Sequence, residues 1–203
     1  MDAREFEDLV IRNRSFRRFD QARRIPYQTL VDLVNLARRT PSAGNRQPLK
    51  YAIIHSPEDC ARLFPHLRWA AALKGWNGPA EGERPAAYIL IFCDTRILKE
   101  PGCDQGIAAQ TLLLGAAAQG LGGCMLGAID RNKIRAEFSV PEDLEIPLVV
   151  ALGVPAEKCV LEDTPVGGDV TYYRDVQSVH HVPKRPLAEV LVEVTLPPWG
   201  VYP

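Results

Sequence analysis

The sequence predicts an α+β fold in which helices pack on the faces of a sheet. Three observations carry that expectation. The run Tyr88-Ile89-Leu90-Ile91-Phe92 is apolar at every position, as in a strand buried on both sides. Segments with apolar residues at helical spacing alternate only loosely with strand-like runs, which ranks α+β above a doubly wound parallel arrangement. A long stretch beyond Gly153 shows neither period and reads as irregular.

Each element follows from its own residues. Phe6, Leu9 and Val10 predict a short amphipathic first helix. Pro26 takes the first helical position of a second, marked by Leu30, Leu33, Val34 and Ala37 and ending before Pro41. Residues 50–55 read as a strand, with Tyr51, Ile53 and Ile54 carrying β-propensity. Pro57 opens a short helix over 58–64. Residues 69–85 hold two tryptophans, three glycines and two prolines, and read as a loop that partly covers a site. Asp104 is the expected N-cap of a helix reaching Gln119. That helix is apolar nearly all round, which places it at the centre of the fold or in a subunit interface. A strand over 124–129, a helix over 132–138 and a last core strand over 148–152 follow. The 203 residues are expected to form one compact domain with an irregular tail from about residue 154, closing in Pro197-Pro198-Trp199-Gly200-Val201-Tyr202-Pro203.

Bulk properties exclude several classes. A formal net charge of -1 gives no support to nucleic-acid binding or to a polybasic membrane patch. Residues 107–129 carry no charge, yet Gln110, Gln119 and four glycines break the run into a helix and a strand rather than a membrane span. Residues 1–20 alternate acids and bases and lack the apolar core of a signal peptide. Five cysteines without a C-x-x-C pair fit reduced thiols and a cytoplasmic location. Cys103 and Cys124 lie in apolar sequence, which predicts inert thiols. His180-His181 has no partner at ligand spacing, so no metal is expected. Without a Gly-x-Ser-x-Gly elbow a serine hydrolase is disfavoured. Gly120-Leu121-Gly122-Gly123 follows a helix and opens a strand, the wrong order for a dinucleotide fingerprint; it reads as a helix stop. Gly127, expected inside the strand, suggests close approach of a ligand or another backbone.

Three polar segments carry the chemistry. Asn13-Arg14-Ser15-Phe16-Arg17 and Lys184-Arg185 offer guanidinium forks, an ammonium and a small hydroxyl, which suit a phosphate. Pro41-Ser42-Ala43-Gly44-Asn45-Arg46-Gln47-Pro48 offers amides, each with a donor and an acceptor, which suit the edge of a planar heterocycle. Phosphate at one end and a polar ring at the other describe a mononucleotide-like cofactor, FMN first.

In order along nearly the whole chain, these segments, the strand entry Leu121-Gly122-Gly123-Cys124-Met125-Leu126-Gly127 and the closing Lys184-Arg185-Pro186-Leu187 resemble the nitroreductase family of FMN-dependent oxidoreductases. The resemblance implies a central mixed, mostly antiparallel sheet flanked by helices, in a homodimer with FMN at its interface. It implies that Arg14, Ser15, Lys184 and Arg185 contact the phosphate or ribityl chain, and that Arg17 lies at the N1/O2 edge of the flavin. Ser42, Asn45 and Gln47 would reach the flavin of the partner subunit, and backbone amides around Leu126 and Gly127 would face N5 and O4. The implied activity is transfer of two electrons from NADH or NADPH to a nitroaromatic, quinone or similar small acceptor. No side chain is then needed as nucleophile or proton donor. Two departures stand out: Asn13 replaces the family's usual arginine, and the polar contacts to the flavin pyrimidine edge are not recognisable in 69–85. The first motivates an alternative, a flavin-binding or flavin-delivering protein of low turnover. Reductive dehalogenation or flavin breakdown on the same fold is a further one.

Overall fold

The apolar run at 88–92 lies at the centre of the sheet. The computed structural model describes residues 1–194, so the closing 197–203 segment lies outside the described residues. The chain divides into two compact units, Met1–Glu157 and a second beginning at Lys158. In chain order the first holds α1 (Ala3–Arg12), β1 (Phe19–Asp20), α2 (Tyr27–Ala37), β2 (Leu49–Ile54), α3 (Pro57–Leu63), β3 (Ala87–Asp94), α4 (Asp104–Ala117), β4 (Gly122–Leu126), α5 (Arg131–Glu137) and β5 (Leu144–Pro155).

The sheet of the first unit is antiparallel at every pair: β2 with β3, β3 with β5, and β5 with both β4 and β1. Parallel pairing enters this unit at an isolated bridge between Ser15 and Gly123. Every residue of β3 is buried, and its alternation divides the core in two. Ile89 and Ile91 pack on one face with Leu30, Leu33, Leu112 and Leu113 of α2 and α4. Tyr88, Leu90 and Phe92 pack on the other with Leu63 of α3 and Ile134 of α5. Full burial contributes roughly 1.5–3 kcal/mol per large apolar side chain. The run is continuous because both faces of the strand are covered.

Local chemistry sets the helix ends. Asp2 and Glu5 form a reciprocal capping box on α1, with bonds of 2.9 and 2.7 Å. Ser56 caps α3 and Asp130 caps α5. Pro26 sits at the N-cap of α2, one place earlier than the sequence predicts. Gly120, with φ +73°, stops α4 as expected, and Leu121 N–H returns to Ala116 O at 3.0 Å. The expected N-cap of α4 is corrected: Cys103 holds that position, and Asp104, the first helical residue, turns its carboxylate to the 42–43 loop instead. Two donors in that loop compete successfully for it.

β5 contains Pro147, which cannot donate to the ladder. The register shifts there: Ile91 faces Leu148 but Cys93 faces Glu145, so Ile146 and Pro147 together oppose Phe92 in a bulge.

The second unit corrects the expectation of an irregular tail. It holds β6 (Cys159–Asp163), β7 (Tyr173–Arg174), β8 (His180–Lys184) and the short α6 (Leu187–Val190). β8 is central, parallel to β6 and antiparallel to β7. Its residues are charged or imidazole-bearing, apart from Val182 and Pro183, so the apolar alternation that marks a strand is missing. Pro183 is tolerated because β7 pairs only with His180 and His181.

His181 holds this small sheet together. Nδ1 pairs with Glu162, Nε2 lies 3.2 Å from Asp175 Oδ2, and the ring stacks on Tyr173 with centroids 4.6 Å apart. The bond to Glu162, then that to Asp175, raises the His181 pKa above its ordinary 6.5. Folding is then favoured fully below the unfolded pKa, and that contribution is lost as pH rises through the folded one. NMR titration of the His181 ring protons is expected to give a pKa above 6.5, with β6–β8 amide protection declining through the same transition. A midpoint at or below the ordinary value contradicts this.

Candidate functional site

The 13–18 segment is built by the end of α1 and by a row of glycines beneath it. Asn13 is the C-cap of α1, 8% exposed, and its N–H bonds Leu9 O at 3.0 Å. Arg14 turns back so that Nη2 donates to Val10 O at 2.7 Å, a favourable place for a cation at a helix C-terminus. Ser15 bridges to Gly123, Phe16 N–H bonds Gly123 O at 3.0 Å, and Arg17 Nη1 donates to Ser15 O at 3.2 Å. The Glu157 carboxylate accepts from the N–H groups of both Arg17 and Arg18, and Arg18 forms an ion pair with Glu83.

Glycine makes this docking possible. A Cβ at Gly122 would stand 2.6 Å from the Phe16 ring, and one at Gly153 would stand 2.7 Å from the Phe19 ring. The sequence alone marks Gly122 and Gly123 as the start of a strand and does not reveal this use. A pair of adjacent glycines inside a strand was the available signal.

The 41–48 loop is held by hydrogen bonds that centre on the buried Asp104 carboxylate. Ser42 Oγ donates to Asp104 Oδ2 at 2.6 Å and accepts from Gln47 N–H at 2.9 Å. Ala43 N–H donates to Asp104 Oδ1 at 3.0 Å. Gly44, Asn45 and Gln47 all have positive φ, 57°, 52° and 52°. Two of these are not glycine, so the loop is strained and the network offsets that strain. Asn45 and Gln47 are exposed, and Gln47 Nε2 donates to Asn45 Oδ1 at 3.1 Å. Beside the loop is a cavity of about 180 Å³ reached by Arg38, Lys50, Tyr51 and Asp104. Burial, and then the charge of Asp104, pushes the Tyr51 hydroxyl up to about 12, so it stays a neutral donor.

At the far end of β4, Leu126 is buried and Gly127 lies exposed, one residue beyond the strand. This corrects the expected place of Gly127 inside the strand, and of the two approaches expected there that of another backbone is absent: a Cβ at Gly127 would meet only Leu148 Cδ1, at 4.0 Å. The backbone here is open to a ligand rather than pressed against protein.

Residues 69–85 form no helix or strand, as expected, and Trp69 is buried against the second core face. Cys124 is buried and its thiol is pushed up to about 12 by burial. Cys103 is exposed, contrary to the apolar surroundings read from its neighbours, because it stands at the mouth of α4. Lys184 and Arg185 lie in the second unit, at and just beyond the end of β8. Lys184 O accepts from Thr164 at 2.9 Å, and the Arg185 guanidinium pairs with Glu189. Among the described residues no group of His, Cys, Asp or Glu converges as a metal site, and no helix is long and apolar enough to cross a membrane.

The first unit therefore seats the segment that carries Arg14, Ser15 and Arg17 on β4, which ends at Leu126, one residue before Gly127. Ser42, Asn45 and Gln47 are presented separately, from a loop anchored on α4. Cationic forks, a hydroxyl, exposed amides and open backbone are a donor set that fits a phosphate joined to a polar ring.

Comparisons with known proteins point to one family. The family model described as the nitroreductase family matches residues 11–77 and 97–154, taking in both the 13–18 segment and the 41–48 loop but neither Lys184 nor Arg185. A protein of Methanothermobacter thermautotrophicus, provisionally named NADH dehydrogenase/NAD(P)H nitroreductase, is 31% identical over 157 residues, covering 74% of this chain and 77% of its own. An NADH dehydrogenase of Thermus thermophilus is 25% identical, covering 73% and 86%. Among solved structures, a nitroreductase family protein of Clostridium difficile superposes with a TM-score of 0.63 at 22% identity over 93% of this chain and 98% of its own. A provisionally named nitroreductase of Exiguobacterium sibiricum, solved with FMN, gives 0.66 at 19% identity over 83% and 98%. These structures establish the shared fold.

Proposed function

This chain belongs to the nitroreductase family, and from that premise we propose that it is a homodimeric, FMN-dependent oxidoreductase. It takes hydride from NADH or NADPH and passes two electrons to a small electrophile, a nitroaromatic or a quinone. The observation that carries this reading is the Ser15–Gly123 bridge, which fixes the 13–17 segment at one end of β4 while open backbone at Gly127 follows the other end. The four residue steps from Gly123 to Gly127 span about 13 Å at roughly 3.3 Å each, the scale of a mononucleotide.

FMN, when bound, supplies the electron transfer itself; the protein supplies orientation and electrostatics. Arg14 and Ser15 hold the phosphate or ribityl end, where charge-assisted bonds contribute roughly 1.5–3 kcal/mol each. The roles of Lys184 and Arg185 rest on the family resemblance. Arg17 would place a positive charge at the N1/O2 edge of a bound flavin, where it would favour the two-electron chemistry that FMN supplies. Backbone donors near Gly127 serve N5 and O4. Ser42 orients the loop whose Asn45 and Gln47 amides reach the flavin of the partner subunit.

The visible spectrum of the purified protein tests the reading. Yellow protein bleached by NAD(P)H supports it; colourless protein that cannot be reconstituted with FMN overturns it. Arg17→Ala is expected to slow bleaching and to lower the flavin potential more than it weakens FMN binding. Equal losses in both would make Arg17 an anchor and nothing more.

A further inference from the structure

Arg131 makes contacts that a helix start does not require. It is the first residue of α5, exposed overall yet committed to three main-chain carbonyls. Nε donates to Ile146 O at 2.9 Å, and Nη2 donates to Pro147 O at 3.3 Å and to Gly127 O at 3.2 Å. Two of those carbonyls belong to the bulge of β5, which sits where Pro147 interrupts the ladder. The third belongs to the open residue at the end of β4.

We propose that Arg131 is a positioning residue for the flavin ring, acting through the Gly127–Ala128 peptide; the proposal rests on the FMN reading above. A peptide unit is planar and trans, so fixing Gly127 O also fixes the direction of Ala128 N–H, which points the opposite way. The other side of the same segment is fixed independently, because Arg68 N–H bonds Ala128 O at 3.0 Å and Leu67 bridges to Ile129. Gly127 has no side chain to resist rotation, and a Cβ there would meet only Leu148. Without Arg131, the peptide at Gly127 is held from one side only. Gly127 and Ala128 are both exposed, so a ligand can reach this peptide, and an open cleft of about 600 Å³ lined by Arg68, Ala128, Ile129 and Arg131 lies beside the segment. The planar fork matches this arrangement, because one guanidinium spans three carbonyls in fixed geometry, which a lysine cannot reproduce.

A decisive experiment takes the FMN-loaded protein and reads the flavin midpoint potential and visible spectrum, with FMN affinity and thermal stability measured alongside. Arg131→Gln is expected to shift the reduced-to-oxidised ratio about tenfold toward oxidised flavin, which is about 30 mV for a two-electron couple. Its flavin absorbance bands move, and FMN affinity changes less than the potential does. Arg131→Lys, which keeps the charge and reaches fewer carbonyls, is expected to fall between wild type and Arg131→Gln; if the Gln variant does not accumulate folded, the Lys variant is read by the same criteria. A loss of thermal stability with potential and spectrum unchanged overturns the proposal and leaves Arg131 a clasp on the β5 bulge. Wild-type protein that takes up no FMN overturns the functional reading as well, whereas a yellow wild type with unshifted variants overturns this inference alone.

Discussion

Gly123→Ala is expected to destabilise the protein by about 3 kcal/mol or more, at the upper end of overpacking costs. A Cβ at Gly123 would stand 2.1 Å from Ala151 O, 2.8 Å from Leu113 Cδ2 and 3.0 Å from Leu152 Cδ2. The side chains can give way; the carbonyl belongs to the ladder between β4 and β5 and cannot without breaking the pairing. For a chain of this size that loss lowers Tm by roughly 6–12 °C. Because Ser15 and Phe16 are seated on Gly123, the shift also displaces the segment proposed to hold the phosphate, and FMN affinity is expected to fall with stability. Gly127→Ala is the control. It meets nothing closer than 4.0 Å, so its stability is expected to stay within about 0.5 kcal/mol of wild type. Thermal unfolding of the two variants decides the matter: a Gly123→Ala protein as stable as the control would contradict the close approach.

Asp104→Ala carries the second large expected effect. The buried carboxylate, 4% exposed, accepts from Ser42 Oγ and Ala43 N–H. Two bonds to a charged acceptor at roughly 1.5–3 kcal/mol each put the loss near 3 kcal/mol or somewhat above. The loop above it holds Asn45 and Gln47 at positive φ and relaxes when its anchor goes. FMN affinity is therefore expected to fall about tenfold or more, which is about 1.4 kcal/mol. Asp104→Asn retains one acceptor and is expected to lie between. Denaturant titration and FMN binding separate the outcomes. Reduced stability with unaltered FMN affinity would show that the loop has no part in holding the flavin.

The legible parts of this molecule are those whose signal is local. The apolar run of β3, the helical spacing of α2 and the left-handed stop at Gly120 are each written within a few residues, and each is found where its residues place it. The second-unit sheet was not legible, because β8 is mostly histidine, proline and lysine and the short β6 ends in two acids, and their pairing depends on a partner about twenty positions away. Asp104 misled for a similar reason. An aspartate beside a helix start reads as a cap, and only the proximity of Ser42, sixty-two residues earlier, turned it elsewhere.

The candidate site divides along the same line. Residue type alone shows which groups carry the donors, acceptors and charge proposed to hold a phosphate and a polar ring, because these are properties of side chains. Geometry could not be read that way. That Ser15 rests on Gly123, that the 41–48 loop hangs from Asp104, and that Arg131 grips Gly127 O all depend on contacts between segments distant in the chain or on the fold that aligns them. Sequence determined the chemistry available and the family it serves. Packing alone decided where each group stands, since a Cβ that would clash at 2.1 Å exists only once β4 lies against β5.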